Sequence, residues 1–205
     1  MLTYDLAGQK VNRLGYGAMQ LPGPGVFGPP SDRERALAVL RRAVELGVRH
    51  IDTAQFYGPD VANELIHEAL APYPDDLVVV TKIGGTRDAT GNWLPAQRPE
   101  ELRQAVEANL ATLGLAALPV LNLGRADPGA VAGTPQDVDF DEQLAAIIEL
   151  RDEGKVTSVG LTNVSIRQLD HALRTVEVVC VQNRYNLLDR SDEPMVDRCA
   201  AMGIA

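Results

Sequence analysis

The chain has 205 residues, 45% of them hydrophobic and 23% charged, with a net charge of −9. That length is enough to bury one substantial core, and the composition is that of an ordinary soluble globular protein. The acidic balance, without any run of Lys and Arg, argues against a nucleic-acid partner and against anionic membrane surfaces, and no stretch approaches the roughly 20 apolar residues of a membrane span.

The start, Met1-Leu2-Thr3-Tyr4-Asp5, lacks the basic region and apolar run of a signal peptide. Cys180 and Cys199 have no metal-ligand spacing, and Cys180 lies within the apolar run Val178–Val181, the setting of a buried free thiol. A cytoplasmic protein without disulfides or a metal site is the expectation. Its oligomeric state is left open.

Short apolar runs alternate with amphipathic segments along the whole chain. The first strand is expected at Leu14–Met19, followed by a helix over 32–47 with Ser31 and Glu34 as a capping box. In that helix Ala36, Leu37, Leu40, Ala43 and Val44 make an apolar stripe, and Gly47 ends it. Strand Val48–Asp52 leads to a helix over 61–71, then strand Leu77–Lys82. Pro99, Glu100 and Glu101 suit the first turn of a helix over 99–113, stopped at Gly114. Strand Leu118–Leu123, a helix over 139–153 ending at Gly154, and strand Val156–Leu161 come next. Ser165 with Gln168 opens a helix over 165–175, then strand Val178–Gln182 and a helix over 193–202. Met202–Ala205 reads as a helix end passing into a seventh strand.

Six strand–helix pairs in strict alternation predict a parallel α/β architecture, either an open doubly wound sheet or a barrel. A (β/α)8 barrel needs eight such units and typically about 250 residues. A TIM-type barrel domain spanning residues 1–205 would therefore be incomplete at its C-terminal end and would expose two hydrophobic edges. Either the chain is a fragment or the sheet is open.

Two motifs mislead. Gly23-Pro24-Gly25-Val26-Phe27-Gly28 matches GxGxxG, but Pro24, Pro29 and Pro30 oppose helix initiation, so a flexible loop over the barrel mouth is expected rather than a dinucleotide fingerprint. Asp52-Thr53-Ala54 resembles an aspartic protease loop, but no second copy supplies the paired carboxylate.

The segment Asp52-Thr53-Ala54-Gln55-Phe56-Tyr57-Gly58 is more informative. A carboxylate ends one strand and a phenol follows in the loop, while the next strand delivers Lys82 at its own end. Carboxyl ends of barrel strands converge on one mouth, where active sites of this fold lie. A buried Lys is tolerable beside Asp52. An ammonium near a phenol favours proton release, so Tyr57 suits donation to the alkoxide of a carbonyl being reduced. Taken singly, Asp52 could be a helix cap and Tyr57 a packing residue.

Together these pieces resemble the aldo-keto reductases, particularly their bacterial branch. The resemblance runs from Leu14-Gly15-Tyr16-Gly17-Ala18-Met19 through Asp52, Tyr57-Gly58, Thr81-Lys82, Gly154-Lys155-Val156 and Val159–Asn163 to Gln182-Asn183-Arg184-Tyr185-Asn186. It implies a (β/α)8 barrel reducing aldehydes or ketones with NADPH, NADH not being excluded, and with Asp52, Tyr57 and Lys82 as three of four catalytic residues. It further implies that Gly17, Ala18, Met19, Asp52, Thr162, Asn163 and Gln182 line the cofactor. Read without the family, Asn163 could be the turn before the helix that Ser165 caps, and Gln182 a satisfied polar strand end.

Two departures follow from the same resemblance. The usual fourth residue, a His, falls at Gly124 in Leu121-Asn122-Leu123-Gly124-Arg125-Ala126-Asp127, where the missing side chain would weaken a carbonyl contact and enlarge the substrate pocket beside Tyr57. His50, His67 and His171 are expected to be packing or surface residues, and Asn122 to lie deeper in the barrel. The family's last two strands, with the aromatic and basic cofactor contacts they carry, fall outside the sequence. Two other readings stand beside the reductase: a nicotinamide-binding sensor or accessory subunit without turnover, and a Schiff-base enzyme using Lys82.

Overall fold

The computed structural model describes residues 2–124 and 136–205. Its centre is a parallel sheet of six strands: β3 (Tyr16–Gly17), β4 (His50–Asp52), β5 (Val78–Ile83), β8 (Leu118–Gly124), β9 (Val156–Thr162) and β10 (Val178–Gln182). Each strand pairs with the strand of this sheet that precedes it in the chain, and the order never reverses. A doubly wound sheet reverses at its switch point. Sequential addition in one direction is the wall of a (β/α) barrel, and six strands make a partial one.

Helices α1 (Arg33–Glu45), α2 (Val61–Leu70), α3 (Pro99–Leu113), α4 (Phe140–Asp152), α5 (Ile166–Ala172) and α6 (Glu193–Met202) follow successive strands. Their apolar stripes bury Leu37, Leu40, Leu65, Ile66, Leu102, Val106, Leu144 and Ile147 against outward residues such as Ile51, Val79, Leu121 and Val159. Every residue of β5 is buried, as a parallel strand covered on both faces must be.

The inner face is closed at one end by a hairpin that strand periodicity did not announce. β1 (Thr3–Leu6) and β2 (Gln9–Asn12) pair antiparallel. Leu6 and Val11 from this hairpin pack with Val78, Val80, Val120 and Cys180 inside the barrel. A second hairpin, β6 (Gly85–Arg87) with β7 (Trp93–Pro95), rises from the end of β5.

Most element boundaries match the expectations, and the exceptions have local causes. α1 is capped by Asp32 rather than Ser31, its carboxylate accepting from the Arg35 N–H at 2.9 Å. Ser165 and Gln168 do form a capping box. The first strand shortens to Tyr16–Gly17 because Ala18–Gln20 turns into a 3-10 helix. After α6, Ala205 donates to the Val179 carbonyl at 3.0 Å and accepts from Val181 N–H at 2.9 Å, so the outer edge of β10 begins to pair there. No helix among the described residues is long and apolar enough to cross a membrane.

Candidate active site

Parallel pairing brings the strand ends into line. Gly17 pairs with Asp52, and Asp52 with Val80. Strand alternation turns Asp52 and Lys82 inward together. Lys82 Nζ lies 2.6 Å from Asp52 Oδ2, and the two side chains are 7% and 15% exposed. Nζ also donates to the Thr53 carbonyl at 3.2 Å. A buried ammonium held by a carboxylate and a carbonyl keeps most of the interactions it would lose on leaving water.

Tyr57 reaches the same place from the loop. Its N–H closes a turn on the Ala54 carbonyl at 3.0 Å. Gly58 follows with φ of +112°, where a Cβ would strike Val61, so only glycine lets the chain turn directly into α2. The Tyr57 ring is buried, with its centroid 5.1 Å from Lys82 Nζ. Asp52, Tyr57 and Lys82, separated in sequence, thus form one cluster at the carboxyl ends of the strands.

The other residues singled out from the sequence surround that cluster. Gln182 Nε2 donates to Asp52 Oδ2 at 2.7 Å. Thr162 Oγ1 donates to the Gln182 carbonyl at 2.7 Å, as does the Asn163 N–H at 3.2 Å. Asn163 adopts φ of +53° at the turn out of β9 and is exposed. Ala18 is buried and Met19 is 39% exposed, while the position a Cβ would take on Gly17 faces open space.

Gly124 ends β8 opposite Thr162. A Cβ there would meet the Ile83 carbonyl and Thr162 Cγ2, each at 3.1 Å, so its immediate surroundings are close-packed. Arg125–Asp127 lie outside the described residues. Asn122 is buried deeper in the barrel and accepts from Cys180 Sγ at 3.3 Å. Gly160 makes this possible, since a Cβ there would collide with both side chains. His50 hydrogen-bonds Tyr4 Oη at 3.0 Å, and burial chiefly pushes its pKa below the ordinary value. His67 bonds to the Leu113 carbonyl and His171 to Asp141. All three histidines make structural contacts in these positions.

An aromatic wall was not foreseen. Phe56 meets Tyr57 edge-on at 5.4 Å, and Trp93 from β7 meets Phe56 at 5.7 Å and Tyr57 at 6.4 Å. Arg87 stacks on Trp93 at 3.9 Å and donates to the Gly25 carbonyl at 2.9 Å, tying the second hairpin to the glycine-rich loop. That loop opens no α-helix: it forms a 3-10 turn over Pro24–Val26, and Gly28 N–H donates to the Gly58 carbonyl at 2.7 Å. The only sequence signal for the hairpin was Asp88-Ala89-Thr90-Gly91-Asn92, whose Asp88 carboxylate accepts from the Thr90 and Asn92 N–H groups.

A barrel wall with a buried ion pair and a phenol at the carboxyl ends of its strands defines an enzyme-like site of the kind that barrels build at that face. The aldo/keto reductase family model matches residues 13–205, and the chain belongs to that family of oxidoreductases. It is 51% identical over 203 residues to the pyridoxine 4-dehydrogenase of Escherichia coli, covering 99% of this chain and 70% of that protein. A thermostable aldo-keto reductase superposes with a TM-score of 0.81 at 26% identity, over all of this chain and 71% of its own. The fold is shared with the glycerol dehydrogenase of Gluconobacter oxydans, at a TM-score of 0.85 and 23% identity, over 99% of this chain and 61% of that one. The chain therefore spans roughly two thirds of the length of these relatives.

Proposed function

We propose that the protein is an NADPH-dependent oxidoreductase interconverting a carbonyl compound and its alcohol, with NADH as the alternative cofactor and Tyr57 as the proton donor. The observation that carries this reading is the Asp52–Lys82 ion pair at 2.6 Å with the Tyr57 ring against the ammonium. The donor set fits a nicotinamide: open space at Gly17 and the exposed amide of Gln182 lie beside Asp52, Asn163 is exposed at the turn whose N–H bonds the Gln182 carbonyl, and an amide pairs well with a carboxamide. Gly17, Ala18, Met19, Asp52, Thr162, Asn163 and Gln182 would hold it. When bound, such a cofactor supplies the hydride to the carbonyl carbon or takes it back.

In this reading Tyr57 delivers its proton to the carbonyl oxygen as that oxygen gains charge, and takes it from the alcohol in the reverse direction. Lys82 faces the phenolate left behind, and Asp52 holds Lys82 in place against the ring. Phe56 and Trp93 pack edge-to-face around the phenol, an apolar aromatic setting that suits a ring substrate. The Escherichia coli relative is named for pyridoxine, and a ring alcohol of that class is the substrate put forward for this site. An incomplete barrel domain with both cysteines free suits a cytoplasmic enzyme of small molecules in this reading.

Gly124 favours a second reading, a nicotinamide-binding barrel acting as a sensor or accessory subunit. Without the His expected there, one carbonyl contact is lost, and a lost donor of that kind typically costs about 10²–10³ in rate. The deciding experiment follows NADPH oxidation with pyridoxal and a broad aldehyde panel. Turnover that Tyr57→Phe lowers by about 10²–10⁴ supports the reductase. Unchanged turnover in that variant rejects the role of Tyr57, and cofactor binding without turnover on the whole panel selects the second reading.

A further inference from the structure

Behind the ion pair, on the outer face of the barrel wall, lies a closed set of buried polar side chains. Thr53 follows Asp52 and Thr81 precedes Lys82, so alternation points both hydroxyls away from the mouth, toward the helices. Thr53 Oγ1 donates to Asn63 Oδ1 of α2 at 2.9 Å, and Thr81 Oγ1 donates to Asn109 Oδ1 of α3 at 2.5 Å. Asn63 Nδ2 joins the two by donating to the same Asn109 oxygen at 2.9 Å and to Thr112 Oγ1 at 3.0 Å. Asn109 Nδ2 closes on the Ala105 carbonyl at 2.8 Å. Thr53, Asn63 and Asn109 have no exposed surface and Thr81 only 1%.

Apolar residues would fill this space with less desolvation. What they would lack is direction: hydrogen bonds fix the position of each partner, whereas apolar contacts tolerate sliding. The position being fixed matters to the ion pair, because Lys82 Nζ donates to the backbone carbonyl of Thr53 itself. A shift of Thr53 or Thr81 moves the carbonyl, Asp52 and Lys82 together relative to Tyr57.

We propose that the Thr53–Asn63–Asn109–Thr81 network is a positioning device for the active site, anchoring the ends of β4 and β5 to α2 and α3 so that Asp52 and Lys82 stay aligned under Tyr57. This rests on the reductase reading, and the four residues act through the ion pair rather than on the substrate. Misplacement of catalytic groups by about 1 Å can cost a hundredfold in rate.

The test uses Thr53→Val and Thr81→Val, which keep shape and remove the hydroxyl, beside Thr53→Ser and Thr81→Ser, which restore it. The Val variants, shown folded by thermal unfolding, should lose about tenfold to a hundredfold in kcat, with cofactor Kd within about twofold of the parent. The Ser variants should recover most of kcat. The pair Thr53→Val with Asn63→Leu removes both partners of that bond together with the donations of Asn63 to Asn109 Oδ1 and Thr112 Oγ1, so it should lose at least as much kcat as Thr53→Val. Folded Val variants with parental kcat, or kcat that simply follows stability across the series, would overturn the proposal. If the parent shows no turnover, the reductase reading fails separately and Lys82 still reports. Its Nζ protons, followed by ¹⁵N NMR, should exchange about tenfold faster in Thr53→Val, since the residue-53 carbonyl they donate to remains but is no longer anchored through Asn63; equal rates would overturn the positioning role.

Discussion

Gln182 and Asp52 share a hydrogen bond of 2.7 Å across 130 residues of sequence, and they stand on strands that are not neighbours. Between β10 and β4 the sheet places β9, β8 and β5. Four steps of strand spacing in a flat sheet amount to about 19 Å. Only a wall that curls through much of a circle brings the two side chains together. The same Asp52 oxygen accepts from Lys82 Nζ, so one carboxylate joins both sides of the mouth.

Removing the cross-mouth partner should therefore be felt at the cofactor. Gln182→Leu takes away an amide of the proposed nicotinamide cradle and one donor to Asp52. The expected result is about a tenfold weaker NADPH Kd by fluorescence titration, the scale of one lost hydrogen bond to a charged or polar partner. An unchanged Kd would remove Gln182 from the cradle.

Removing one half of the ion pair should cost stability out of proportion to removing both. Lys82→Met strands a carboxylate and Asp52→Asn strands an ammonium that is 7% exposed. Each single change should cost about 3–5 kcal/mol in urea unfolding, and the double variant clearly less than the sum. Additive losses would show that the two charges are independently solvated.

Stability should also fall on mild acidification, through His50. Burial, with Lys82 adding to it and Asp52 opposing it, holds the folded His50 below its ordinary value of 6.5. The unfolded chain then takes up the proton first. The stabilising contribution is complete above pH 6.5 and is lost as pH falls from there through the lower folded value. Unfolding curves recorded across that window should show a loss that is diminished in His50→Gln, which cannot titrate. Parallel pH profiles for the two proteins would assign the loss to other groups.

The two thiols should be chemically quiet in the folded state. Cys180 is 7% exposed and its thiol is pushed up to about 12, chiefly by burial. Burial also raises Cys199. A chromogenic disulfide reagent at neutral pH should label neither at an appreciable rate until denaturant is added, when both react. Rapid labelling of the native protein would show that the wall around β10 opens readily.

The fold was legible where one residue pattern had one physical meaning. Val78, Val79 and Val80 in a continuous apolar run mark a strand covered on both faces, and β5 is buried throughout. Pro99 with Glu100 and Glu101, and Ser165 with Gln168, announced helix starts that the structure retains. Ser31 and its neighbour Asp32 both suit the cap, and the structure uses Asp32. The hairpin of β1 and β2 was missed because four-residue strands mixing Thr, Tyr, Gln and Lys carry little periodicity. Its Leu6 and Val11 become core only because the barrel offers them an open end.

The candidate site shows the same division. Asp52, Tyr57 and Lys82 were legible as neighbours because strand ends of a parallel barrel converge, so two residues on those ends and a third in the loop that follows one of them already lie near one another. Trp93 and Arg87 carried no such signal. Their approach to Tyr57 depends on a hairpin rising from β5 and folding over the mouth. Asn63 and Asn109 were likewise silent, since a polar residue on a helix looks the same in sequence whether it faces water or a buried threonine.

By itself the sequence determined the alternation of strands and helices, the helix caps, and the residues set at strand ends, all of which depend on neighbours a few positions away. The tertiary structure alone decided that the sheet curls rather than stays open, which histidine is buried, and which amides lock onto one another. Those outcomes depend on contacts such as Gln182 with Asp52 and Asn63 with Asn109, made across 130 and 46 residues of chain. Local propensity cannot specify them, because the partner in each case is supplied by the closure of the wall and the packing of helices onto it.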